Sequence, residues 1–206
     1  NFGGTYTPFA KLALNFNFFR NDIENLIDSR EVAIRSNGTQ IFSYINVKNA
    51  YTQGAELEAR WEPRKNWQLN AGYQYLYTAD KADLQKIKSK TVFTRDASGY
   101  SRLLSRSEYS GLPNRSRHML NLRLCYDDQQ FFATARAICR SQWVVSDADG
   151  NGVYNSNDEF ASGFVLLNLS AGRQFKNGLR LQAGMDNLFN YRDINNLPNM
   201  PGRMMY

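Results

Sequence analysis

The chain is poor in the residues that build reactive centres. Its 206 residues include two cysteines, Cys125 and Cys139, and a single histidine, His118. Two thiols and one imidazole give no metal-ligand spacing and argue against a zinc enzyme. A Ser–His–Asp triad would have to be built on His118, which the alternation described below turns to an apolar face. No catalytic constellation is found, and the chain is not expected to be an enzyme. Runs of eighteen apolar residues are also lacking, so no transmembrane helix is expected. That absence leaves β-structure open, because a strand that alternates apolar and polar residues hides from window-averaged hydropathy. Nor does a signal-peptide pattern follow Asn1, so a processed chain or a fragment is expected.

What is present is aromatic and alternating. Twelve Tyr and thirteen Phe are a high content for a soluble domain. In "WQLNAGYQYLYT", Trp67, Leu69, Ala71, Tyr73, Tyr75 and Tyr77 alternate with Gln68, Asn70, Gly72 and Gln74. "GAELEARWE", "HMLNLRLCY", "FFATARAICRSQW" and "LRLQAGMDN" repeat the period of two, which marks strands with one apolar and one polar face. The pattern predicts about nine strands, near 1–6, 11–33, 41–62, 67–80, 116–126, 130–144, 162–175, 179–192 and from 203. Tight turns ("TPFA", "EPRKN", "DDQQ", "KNG") alternate with longer connections. The two longest strands would each extend about 70 Å at roughly 3.3 Å per residue, far beyond the usual 5–6 residues of a sandwich strand. A meander of this kind predicts an all-β fold, an antiparallel transmembrane β-barrel with long extracellular loops.

Aromatic placement fits that expectation. Trp61 and Trp67 flank a tight turn, and Trp143, Tyr75 and Tyr77 lie toward the long-loop ends, so these five are candidates for two lipid-interface belts. In the hairpin around "YDDQQF", Cys139 is expected across from about His118 and Cys125 from about Phe132. The thiols then lie on opposite faces, too far apart for a disulfide.

Specific stretches carry a family likeness. "FFRNDIENLID", "YINVKNAYTQGAELEARWEPRKNWQLNAGYQYLYT", "LPNRSRHMLNLRL" and "GMDNLFNYRD…PGRMMY" together resemble the C-terminal barrel portion of a TonB-dependent outer-membrane receptor. The resemblance spans most of residues 1–206. It implies about nine strands of a larger, 22-stranded plugged barrel, with the plug domain and N-terminal strands absent and the last strand cut short. It also implies a multi-pass protein of the bacterial outer membrane that imports a scarce nutrient: an iron chelate (siderophore or haem) or cobalamin. The implied partners are outer-membrane lipid and lipopolysaccharide, the protein's own plug domain, the TonB complex, the iron-chelate or corrinoid ligand, and a surface lipoprotein docked on the loops. Nucleic acid is not among them, because the aromatics belong to strand faces. A passive porin or adhesive barrel is the second reading, and a soluble β-sandwich lectin a weaker third.

Three segments carry chemistry. "DADGNGVYNSND" sets Asp147, Asp149 and Asn151 at positions one, three and five of a calcium-loop pattern. Gly152 stands at six, the carbonyl of Val153 at seven, Asn155 at nine and Asp158 at twelve. A hard divalent cation takes six to eight oxygens, and this spacing wraps them around it, so a structural Ca2+ is expected and no catalytic cofactor. Residues 81 to 117 hold nine Lys and Arg against three Asp and Glu. Such a loop raises the local concentration of anionic ligands, and Arg95, Tyr100 and Arg102 are its candidate contacts. On the polar strand face, Arg140 and Gln142 lie nearest the loops and complete the candidate substrate set. From the thiol geometry, the unreduced, denatured chain should titrate both thiols with a disulfide-exchange reagent; a chain that titrates none would contradict it.

Overall fold

The computed structural model describes every residue except Ala97, and it excludes the side chains of residues 28–31, 34, 40, 47 and 48. In chain order the elements are β1 (Phe2–Phe9), β2 (Leu12–Ile34), β3 (Gln40–Trp61), β4 (Trp67–Asp80), α1 (Lys81–Lys88), β5 (Phe93–Arg95) and β6 (Ser101–Leu103). A 3-10 turn follows at Arg106–Glu108, then β7 (His118–Asp127), β8 (Phe131–Arg140), β9 (Trp143–Ser146), β10 (Glu159–Ala161), β11 (Phe164–Gln174), β12 (Arg180–Asp186) and β13 (Met204–Met205). Among the described residues, nine strands form one antiparallel sheet in the order β1-β2-β3-β4-β7-β8-β11-β12-β13. Each strand pairs with its nearest sequence neighbour in the sheet, as tight turns at one end require.

Register turns the alternation into two faces. One rung runs Leu12, Trp61, Leu69, Leu124, Ala135, Leu169, Met185, Met205. The next rung runs Arg60, Asn70, Arg123, Arg136, Asn168 on the opposite face. A one-residue slip at any pair would exchange the faces. The polar face forms a trough of about 900 Å³ walled by Glu58, Arg60, Asn121, Arg123, Arg136 and Asp186, among others. Among the described residues no second sheet covers the apolar face where Leu57, Trp61, Leu124, Leu169 and Leu181 are exposed.

Two expectations are corrected. The sheet is open, with β1 at one edge and β13 at the other, so these strands do not close into the expected transmembrane β-barrel. Placement in a bacterial outer membrane as a multi-pass barrel is corrected with it, because the described residues show no closed barrel or membrane-spanning element. No helix is long and apolar enough to cross a membrane, which says nothing of a β-barrel. The physical reason is that a period of two fixes which way each side chain points and which neighbour it pairs with. It does not determine whether a last strand meets a first. The β7–β8 hairpin also shifts by two residues from expectation. Cys125 faces Thr134 and Cys139 faces Leu120, because the turn residue Gln129 adopts φ 76° and Asp127 pairs with Phe132. Both thiols are free, five residues apart along the ladder, roughly 17 Å.

The buried core lies at the long-loop end. Tyr51 and Ala79 from β3 and β4 pack with Ile87 of α1, Val92, Leu104, Tyr109 and Val153. Helix α1 was not expected from the alternation, yet its signals are local: Asp80 caps it by accepting from the Ala82 amide (2.8 Å), and Leu84 and Ile87 fall at helical spacing. The expected strand 130–144 breaks at Ser141–Gln142, and β9 pairs with β10 in a separate small sheet. Tyr109 is 2 % exposed, and its hydroxyl oxygen accepts from the Asp80 amide (3.0 Å). Tyr109→Ala should lower the local stability of this cap by about 3–5 kcal/mol. Hydrogen exchange should then show faster exchange at residues 92–104 and 144–154, with β7 and β8 unchanged.

Candidate metal centre

Strands β9 and β10 close the calcium-like loop at its base. Glu159 pairs with Ser146, and the Ser146 hydroxyl donates to the Glu159 carboxylate (2.7 Å), which brings Asp147 and Asp158 side by side. No helix flanks the loop; the strand pair supplies the closure that two helices give in the helical calcium family. Gly150 (φ 68°) and Gly152 (φ 77°) take left-handed conformations that a β-carbon would resist. The carboxylates of Asp147, Asp149 and Asp158 then lie within 4.8 Å of one another.

Their hydrogen bonds are neutral. Asp147 accepts from the amides of Asn151 (3.2 Å) and Gly152 (2.7 Å). Asp158 accepts from the amides of Ala148 (3.0 Å) and Asn155 (2.7 Å). Asp149 accepts from the Thr94 hydroxyl (2.9 Å) and from the side chains of Asn151 (3.0 Å) and Asn155 (3.2 Å). None of the three has an ion-pair partner among the described residues. Burial pushes the Asp158 carboxyl up to about 6, aided by the charges of Asp147 and Asp149. Burial and Asp149 raise Asp147 as well. Three converging carboxylates with only neutral donors favour a proton or a cation between them. The cluster can therefore coordinate a metal ion, and its donor set is all oxygen.

The other expected positions are turned to internal bonds. The Asn151 side-chain oxygen accepts from the Val153 amide (2.8 Å), and the Val153 carbonyl accepts from the Asn155 amide group (3.1 Å). Asn155 is fully buried. Reasoning from sequence missed Thr94 and Asn157. Asn157 donates to the Thr94 hydroxyl and to the Arg95 carbonyl, both at 2.8 Å, and so ties the loop to β5. A separation of about sixty residues leaves no local signal for this contact.

The candidate substrate residues separate. Arg95 and Arg102 line a hollow of about 770 Å³ with Asp96, Asp149 and Asn157. Arg102 is bound twice by Glu108. Tyr100 stands 74 % exposed outside that hollow. Arg140 is a strut: it donates to the Ser116 hydroxyl (2.6 Å) and the Asn114 carbonyl (3.1 Å) and stacks on Trp143. Gln142 is exposed beside it. Among the five belt candidates, Trp61, Trp67 and Tyr75 are exposed on the apolar face. Tyr77 packs partly against the cap core. Trp143 does not stand with them: it is buried, 3 % exposed, between Arg140 and Phe164.

A neighbour-paired antiparallel sheet with tight turns at one end and folded loops at the other defines the class. Residues 1–188 match the family of TonB-dependent receptor-like β-barrels, and the chain belongs to that family. Family membership agrees with the reading that the chain is not an enzyme. Among solved structures, a ferric enterobactin receptor mutant from Pseudomonas aeruginosa bound to enterobactin superposes with a TM-score of 0.59. It is 21% identical over 92% of this chain and 25% of that one. The siderophore receptor PiuA from Acinetobacter baumannii gives 0.55 at 20% identity, over 88% of this chain and 22% of that one. The copper transporter OprC gives 0.59 at 20% identity, over 91% and 24%. The chain thus spans about a quarter of the length of the receptors it resembles, and the likeness is one of fold. No curated protein matches.

The carboxylates set a pH dependence. With Asp158 raised above its ordinary 3.8, the folded loop holds its proton more tightly than the unfolded chain does. Stability is then fully present below about pH 4 and is lost as pH rises through about 6. Without divalent cation, exchange protection at 147–158 should fall across that window, and Asp158→Asn should flatten the profile.

Proposed function

We propose that the chain is part of a TonB-coupled transport receptor for a scarce nutrient, with an iron chelate as first choice of cargo and cobalamin next. The family match over residues 1–188 is the observation that supports this most directly. The receptor would act with a plug domain and the TonB complex. Ca2+ is the ion we assign to the carboxylate cluster. The twelve-residue spacing from Asp147 to Asp158 and the all-oxygen donors suit a large hard cation better than a small one that demands strict octahedral geometry. On binding, the side-chain oxygens of Asn151 and Asn155 and the Val153 carbonyl would exchange internal hydrogen bonds for the ion. Its role is structural: it holds the hairpin against β5, beside Arg95 and Arg102.

The complete receptor should be tested for binding of a ferric siderophore, haem and cobalamin, with and without Ca2+. Saturable binding of the ferric siderophore is expected, weakened by chelation; no binding of any of the three would refute the cargo class. Calcium should protect the 147–158 tip from protease, and Asp149→Asn with Asp158→Asn should abolish that protection. Unchanged cleavage on chelation would sink the calcium assignment alone.

A further inference from the structure

Three Asn-Gly pairs occur in the chain: Asn37-Gly38, Asn151-Gly152 and Asn177-Gly178. They share a local turn. The side-chain oxygen of each asparagine accepts from the amide two residues on: Asn37 from Thr39 (3.1 Å), Asn151 from Val153 (2.8 Å) and Asn177 from Leu179 (3.1 Å). The glycines are left-handed, at φ 82°, 77° and 87° in chain order. They differ in the partner of the glycine amide. In the two turns that join strands it donates to a backbone carbonyl, Gly38 to Arg35 (2.9 Å) and Gly178 to Phe175 (3.0 Å). In the acidic loop it donates to a carboxylate, Gly152 to Asp147 (2.7 Å).

That difference is chemical. The amide nitrogen of a glycine that follows asparagine can attack the side-chain carbonyl carbon, because no β-carbon shields it. Attack requires loss of the N–H proton, and the carbonyl oxygen gains negative charge. A carboxylate can take that proton as the bond forms, whereas a backbone carbonyl is far too weak a base. The Val153 amide points at the Asn151 oxygen, where the charge develops. The leaving nitrogen of Asn151 donates to the Asp149 carboxylate (3.0 Å) and the Phe93 carbonyl (3.1 Å), which fix the plane of the group. Gly152 is exposed, and nothing lies within 4 Å of where its β-carbon would stand, so water reaches the reacting atoms.

We propose that Asn151 is a self-modification site, at which the Gly152 nitrogen closes on the Asn151 side-chain carbon and expels ammonia, with Asp147 as the base. The bond from the Gly152 nitrogen to Cγ forms, and the Cγ–Nδ2 bond breaks. The proton taken by Asp147 ends on the departing nitrogen, which leaves as NH3. Water, the only co-reactant, then opens the cyclic imide at either carbonyl and gives aspartate or isoaspartate at position 151. Aspartate adds a further carboxylate at the fifth position of the loop. Isoaspartate inserts a methylene into the backbone and shifts Gly152 away from Asp147. An ion held by Asp147 and the Asn151 oxygen would occupy both the base and the attacked carbonyl, and so protect the residue. Only that protection rests on the calcium reading.

Mass spectrometry of proteolytic peptides would follow all three asparagines in the full chain incubated with a chelator, with Asn37 and Asn177 as internal clocks. Asn151 should convert about tenfold faster than Asn177, less than the usual gain from positioned proton transfer because a carboxylate is a weak base for an amide proton. In urea the three rates should converge. Asp147→Asn keeps an acceptor but not a base, and should bring Asn151 down to the rate of Asn177 while the clocks hold steady. An Asn151 rate no higher in the folded chain than in urea overturns the proposal, and so does a rate unmoved by Asp147→Asn. The urea comparison needs no variant, so it decides even where Asp147→Asn loosens the loop. Added calcium should slow Asn151 and leave both clocks unchanged. If calcium has no effect while the other arms come out as expected, the calcium assignment falls and the modification site stands.

Discussion

Backbone pairing between sequence neighbours carries this molecule. Nine strands hydrogen-bond in chain order, and each shared rung commits a whole row of side chains to one side at once. Antiparallel pairing is satisfied strand by strand, so the sheet needs no second layer to complete its hydrogen bonds. The outcome is a surface with opposite characters on its two sides and almost no core between elements. Trp61, Leu124 and Leu181 stay exposed on one side, while Arg60, Arg123 and Arg136 line the trough on the other.

Burial is therefore displaced to one end. The segments joining β4 to β7 and β8 to β11 fold into a cap whose core takes Ile87, Val92, Leu104, Tyr109 and Val153 from widely separated stretches of chain. The two segments are stitched by the Ser110 amide donating to the Tyr154 carbonyl (2.9 Å) and by the Asn157 side chain on β5. Loops of this length are commonly mobile or functional; here they have an interior of their own. That interior places Asp149 of the carboxylate cluster and Arg95 on the wall of one hollow, so an ion at the cluster and an anion at the arginines would feel each other's charge.

Charge is sorted by this architecture. The acidic residues of the hairpin converge on a single point with neutral donors around them, which stores repulsion until a proton or cation arrives. Basic residues spread over several surfaces: Arg102 is neutralised by Glu108, Arg140 is consumed as a strut under Trp143, and Arg106 and Arg117 line a depression beside Tyr75 and Tyr77. Arginines of this chain thus have three different fates, which composition alone does not distinguish.

Much of this was written in the sequence. Alternation such as Trp67-Leu69-Ala71 against Gln68-Asn70-Gly72 identified the strands, their order and their two faces, because side-chain direction in a strand depends only on parity. The aspartate spacing from Asp147 to Asp158 identified the carboxylate cluster, because ligands within one short loop meet through local backbone geometry. The tertiary structure decided the rest. It left the nine-stranded sheet open, with no barrel closed among the described residues, buried Trp143, bound Arg140 and Arg102 to other residues, and set Thr94 and Asn157 against the acidic loop. Each of these depends on contacts between residues tens of positions apart, and such contacts are fixed by packing of the whole cap, for which neither parity nor local spacing carries information.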